Sequence, residues 1–213
     1  MPNAKLTEIV VIMDRSGSMH SIKGAMEEGF AHFMAEQRKI PDPCNVTFYR
    51  FNCAIDKVFE ERPLQQVEPI LLEPTGGTAL LDAMGTAIVN VGARLAAKPE
   101  DQRPGKVVVV VITDGQENAS SEYSKARVAE LVKQQSETYN WQFAFLGANI
   151  DAFAVAAALN IQARGTQNYQ ANEQGAREMY VVTSSAVSNY RSSTISSSKL
   201  ELEPQPQSSN KTP

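Results

Sequence analysis

Two rhythms of apolar residues run along the chain. Residues 8–13 (EIVVIM) are almost continuously apolar, the pattern of a strand covered on both faces in a parallel sheet. A polar turn at 14–18 follows. Met19, Ile22, Met26, Phe30 and Phe33 then recur at steps of three and four, which predicts an amphipathic helix with one buried stripe. Pro41 and Pro43 close that unit. Val46, Phe48 and Phe51 mark a second strand, and a short run near 57–59 can pair with it as a hairpin at the sheet edge.

The helical period returns from Ala79 in Leu80, Met84, Ile88, Val91 and Leu95, until Pro99 and Pro104 break it. Residues 106–113 (KVVVVVIT) are too apolar to leave either face in water and predict the central strand. Ser120 or Ser121 can cap the next helix, whose Val128, Leu131 and Val132 face inward. A strand over 141–147, a helix over 151–159, a short strand near 161–165 and a longer helix over 173–190 complete the alternation. Such a succession argues for an α/β fold, a mainly parallel sheet with helices on both faces and one short antiparallel edge strand.

From Arg191 the character changes. Residues 191–213 hold seven serines and three prolines with few large apolar side chains, so the expectation is one domain over 1–190 and a disordered tail. The whole chain, 213 residues at 42% hydrophobic content, suffices for one sizeable core. A formal net charge of −4 gives no basic footprint, so nucleic acid is not an expected partner. No apolar run is as long as a bilayer span and no basic-then-apolar leader opens the chain, which makes a cytoplasmic location the default expectation and a membrane role an unexpected one. Cys44 and Cys53 flank a strand that holds them too far apart to bridge, and both are read as reduced, mostly buried thiols.

Open parallel sheets bind ligands at the carboxyl ends of their strands, and three motifs fall there. Asp14-Arg15-Ser16-Gly17-Ser18 follows the first strand, Thr78 stands behind Gly76-Gly77 on the loop into the second long helix, and Asp114 ends the central strand. Asp14, Ser16, Ser18, Thr78 and Asp114 supply only hard oxygen donors, which suit Mg²⁺, Mn²⁺ or Ca²⁺ rather than zinc or copper. This pattern resembles the metal-ion-dependent adhesion site of the von Willebrand factor A family, seen also in integrin I domains. All five positions of its Asp-x-Ser-x-Ser, Thr and Asp pattern are matched. The resemblance implies a Rossmann-like three-layer αβα fold, direct ligation by Ser16, Ser18 and Thr78, and action of Asp14 and Asp114 mainly through bound water or outer contacts. It implies a non-enzymatic, intracellular module of bacterial or phage type, whose metal is completed by a Glu or Asp of a protein partner.

Each motif alone is also an ordinary turn or cap. Their order and placement together outweigh that reading. No phosphate loop of the Gly-x-x-x-x-Gly-Lys-Ser/Thr kind and no Gly-x-Gly-x-x-Gly follows the first strand. The alternative is a metal-dependent hydrolase with Glu117 as base, although Glu117 reads more simply as a solvated loop residue. His20 and His32 lie on the first helix, His20 as a surface residue. Arg15 and Met19 flank the site as partner contacts or as spacers. Glu201 and Glu203 of the tail could visit the metal of the same or a neighbouring copy, a form of self-association.

Overall fold

The computed structural model describes residues 1–194 and 198–202. Its single sheet has six strands, β1 (Asn3–Asp14), β2 (Cys44–Phe51), β3 (Ile55–Pro63), β4 (Pro104–Thr113), β5 (Gln142–Gly147) and β6 (Thr166–Asn168). Their spatial order is β3-β2-β1-β4-β5-β6, all parallel except β3, which pairs antiparallel with β2. Four α-helices connect them, α1 (Lys23–Arg38), α2 (Leu80–Ala97), α3 (Lys125–Thr138) and α4 (Ala152–Ala158), and α5 (Glu173–Ser192) follows β6.

The unbroken apolar run of β1 is explained by two cores. Ile9, Val11 and Met13 face one side, where Phe30 and Phe33 of α1 and Met179 and Tyr180 of α5 pack. Val10 and Ile12 face the other, with Leu80, Met84 and Ile88 of α2 and Val128 and Val132 of α3. β4 divides in the same way, Val108 and Val110 to the first core, Val109 and Val111 to the second. α2 is long and apolar enough to cross a membrane by length and composition, but half of it is buried in the domain, as a core helix is.

The structure differs from the sequence expectations at several places. The edge strand β3 is nine residues, longer than the short run near 57–59. The last strand is β6 at Thr166–Asn168, and 163–165 form a 3₁₀ turn; Ile161 is buried in the second core from a loop, which gave that stretch its strand-like look. Helix α3 is capped by Ser124, whose side chain accepts from the Arg127 N–H, and not by Ser120 or Ser121. Cys44 and Cys53 are free thiols, but Cys53 is exposed.

The stretch from Arg191, expected to be disordered, is partly anchored. Arg191 is 1% exposed; its guanidinium donates to the Gln37 carbonyl (2.8 Å) and Oε1 (3.1 Å) and to the Asp42 carbonyl (3.1 Å), tying the end of α5 to the end of α1. Leu200 and Leu202 are buried in the first core, the Leu200 N–H bonded to Gln142 Oε1 and the Leu202 N–H to the Arg164 carbonyl. Residues 195–197 and 203–213, Glu203 among them, lie outside the described residues.

Two stability predictions follow from this packing. At Gly29 of α1 a Cβ would stand 2.0 Å from the buried Tyr180 ring of α5. Gly29→Ala should therefore destabilise by about 1–3 kcal/mol despite the better helix propensity of alanine, read as a lower urea midpoint. Replacing Leu200 and Leu202 together by serine should cost at least about 2 kcal/mol by the same measurement, because each withdraws a buried side chain from the core; a disordered tail would give no change.

Candidate metal centre

The chain leaves β1 and β4 towards opposite faces of the sheet, to α1 and to α3, so a crevice opens between their carboxyl ends. Asp14, the last residue of β1, is fully buried there. One carboxylate oxygen accepts the Ser16 N–H at 2.6 Å and the other accepts the hydroxyl of Thr113, the last residue of β4, at 2.7 Å. Asp14 thus shapes its own turn and ties the two strands together. The hydroxyls of Ser16 and Ser18 lie 3.1 Å apart, and Ser18 Oγ donates to Asp114 Oδ1 at 2.5 Å. Thr78 arrives from the loop before α2; a Cβ at Gly115 would lie 3.3 Å from Thr78 Oγ1 and 3.6 Å from Ser18 Oγ, so both hydroxyls face the same glycine. The five residues singled out in the sequence are brought to one place.

Burial drives the Asp14 carboxyl up to about 6, against the bonds from Thr113 and Ser16, and the neighbouring charge of Asp114 pushes the same way. Burial also raises Asp114, with the Ser18 bond opposing it. Neither carboxylate is paired with a lysine or arginine among the described residues. Two converging buried carboxylates beside three hydroxyls form a hard, anionic oxygen set, and a divalent cation is the partner such a set fits. Among the described residues there is no group of three or more His, Cys, Asp or Glu able to hold a metal, so the serine and threonine hydroxyls are indispensable to any ligand count here.

Around these five stands a scaffold that local sequence patterns do not reveal. Gly76 has φ +74°, a backbone state that favours glycine, and its carbonyl accepts the Gly17 N–H at 3.0 Å, joining the first loop to the second. Asn52 donates to the Thr75 carbonyl at 2.8 Å, and the exposed Cys53 Sγ accepts the Gly77 N–H at 3.0 Å. Asn118 Oδ1 accepts the Thr78 N–H at 2.9 Å, fixing the second loop to the third. The third loop is itself fastened by Asp82 of α2, whose carboxylate accepts the N–H groups of Ser121, Glu122 and Tyr123. Asn52 and Asn118, asparagines in loops with a readiness to cap backbone groups, carry a signal in the sequence, whereas Asp82, inside α2, carries none.

Glu117 is neither a solvated loop residue nor a free base. Its carboxylate accepts from the N–H groups of Leu81, Ala119 and Ser120 and from Ser120 Oγ, all within 2.9 Å. Burial alone would raise it, but the bonds from Ser120, Leu81 and Ala119 together hold it below the ordinary carboxyl range. Met19 is fully buried and offers no surface to a partner, while His20 is exposed as expected. Arg15 turns to Asp56 on β3 at 3.1 Å, its side chain 12% exposed. Glu201 follows Leu200, which is bonded to the first residue of β5, so it sits at the end of the sheet away from Asp14 and Asp114 and cannot serve the metal of its own copy from there.

No family model matches the chain, and no curated protein matches it. Solved structures do. Proximal thread matrix protein 1 of the mussel byssus, in a form with a zinc-occupied metal-ion-dependent adhesion site, is 15% identical with a TM-score of 0.56 over 84% of this chain and 44% of that one. A von Willebrand factor type A protein from Catenulispora acidiphila is 16% identical, TM-score 0.55, over 85% of this chain and 42% of that one. The manganese-loaded TRAP protein of Plasmodium vivax is 13% identical, TM-score 0.55, over 81% and 72%. The chain spans less than half the length of the mussel and Catenulispora proteins. In its strand order, its antiparallel edge and its helices on both faces, the chain has the von Willebrand factor A fold.

Proposed function

We propose that this protein is a divalent-metal-dependent protein-binding module, in which Ser16, Ser18 and Thr78 ligate the ion directly and Asp14 and Asp114 hold it mainly through water and outer contacts. The observation that carries this reading is the convergence on Ser18 Oγ, which lies 3.1 Å from Ser16 Oγ and 2.5 Å from Asp114 Oδ1, beside Thr78 and on the turn that the Asp14 carboxylate shapes. Three neutral hydroxyls leave a divalent cation under-neutralised, so a carboxylate brought by a partner protein would complete its shell. Mg²⁺ is the ion proposed, with Mn²⁺ or Ca²⁺ as alternatives; the zinc and manganese held by the mussel and Plasmodium proteins support a divalent ion of some kind. A role inside a multi-protein complex accords with such a conditional contact. Hydrolysis through metal-bound water is the weaker reading, because the carboxylate nearest in sequence to Asp114, Glu117, already accepts four hydrogen bonds.

Calorimetric titration of Mg²⁺ and Mn²⁺ tests the site. Asp14→Asn, which keeps an acceptor for Thr113, should weaken metal binding about 10–100-fold. Equal affinity in the variant would remove the five residues from consideration as a metal centre. The raised Asp14 also fixes a pH dependence. In the metal-free protein the folded state holds a proton on Asp14 that the unfolded chain has released, so this group's contribution to stability is fully present below about pH 4 and is lost as pH rises through about 6. Ionised Asp14 is what a cation needs, so stabilisation by saturating Mg²⁺ should be small below pH 6 and grow above it. Thermal melts with Mg²⁺ and with chelator across that range check the sign.

A further inference from the structure

Beside the candidate metal centre lies a groove of about 310 Å³ that neither the core nor the metal loops fill. Leu81, Ile150, Val155 and Leu159 line it, the first three of them half-buried, packed on the second core and still open to solvent. Gly115 and Gln116 form the rim towards the metal loops. Gly115 is common to both, since the Thr78 and Ser18 hydroxyls lie against the place a Cβ would take there and its backbone lines the groove. Pockets for organic ligands span about 300–1,000 Å³. This one stands at the lower limit, with room for a large side chain rather than a cofactor.

Its charges are unequal. Asp151 caps α4 through the Ala154 N–H and Glu117 is held by its loop, so both are committed. Lys125 is exposed at the groove and forms no ion pair among the described residues. With one cation against two carboxylates the groove adds no net positive charge, so the acidic end of a partner segment is directed to the metal and an uncharged apolar side chain to the groove.

We propose that the groove is the second half of the docking site and takes a bulky aliphatic or aromatic side chain from the same partner segment whose carboxylate reaches the metal. This rests on the metal-dependent reading above. A chain with its carboxylate over Ser18 and Thr78 passes across Gly115, where no side chain obstructs it. Neighbouring Cα atoms are about 3.8 Å apart, so a residue within about three positions of the acidic one reaches the groove. The recognised element is thus an acidic residue with a large apolar residue close by in sequence. The carboxylate supplies metal dependence, and the apolar contact separates this partner from acidic surfaces in general.

The test is an array of short peptides with a central Glu and with Ser, Leu, Phe or Lys at each flanking position, probed with the full chain in saturating Mn²⁺ and in chelator. Calorimetric Mn²⁺ titration of the same samples reports the metal site separately. Peptides with Leu or Phe at a flanking position should bind about tenfold or more above their Ser counterparts, in Mn²⁺ only. Ala154→Trp, which places an indole in the groove, should abolish that advantage. Mn²⁺ binding without a preference for Leu or Phe, or a preference that survives in Ala154→Trp, overturns the groove proposal and leaves the metal site standing. Absence of Mn²⁺ binding overturns the metal-dependent reading itself.

Discussion

β1 and β4 run side by side as far as Met13 and Ile112 and then part towards opposite faces of the sheet. What bridges the parting is a buried bond from the Thr113 hydroxyl to the Asp14 carboxylate, and nearly everything at that end of the fold depends on it. A carboxylate taken so far out of water is costly unless its oxygens are occupied. One oxygen takes Thr113 and the other takes the Ser16 N–H, which turns the chain so that Ser16 and Ser18 project into the crevice. Burial opposes the ionised form of Asp14, which a divalent cation would restore, so the fold-holding role of Asp14 and the ion-holding role proposed for it have one physical origin.

Much of this is legible in the sequence. The continuous runs of β1 and β4 and the three-and-four spacing of α1 and α2 are strong signals, because each strand feeds two cores and each helix only one. The five oxygen-bearing residues could be picked out because each stands at the end of a strand or the entrance of a helix. What escaped were interactions between residues distant in sequence. Asp82 ties down the N–H groups of 121–123, so Ser120 and Ser121 are drawn into that loop and the cap passes to Ser124. Ile161 looks like part of a strand because it is buried, although it is buried from a loop.

The end of the chain teaches a related lesson. Serine-rich composition averages away the few residues that matter, and a buried arginine is the least expected of them. Arg191 is retained because Gln37 and Asp42 offer it three acceptor contacts where α1 ends, and Leu200 and Leu202 find apolar cover beside β5. Within the described residues, how the chain packs past α5 follows from such anchors and not from the mean hydropathy of the segment.

The two cores give the crevice a mechanical character. Ser16 and Ser18 sit on the loop that continues into α1 and the first core, whereas Thr78 and Asp114 sit on loops that continue into α2 and α3 and the second. An ion gripped by both sets of oxygens would act as a rivet through the edge of the sheet, fastening two otherwise separate hydrophobic layers. A pull exerted through a bound partner would then be divided between both sides of the domain, with the sheet loaded along its strands instead of peeled from one face.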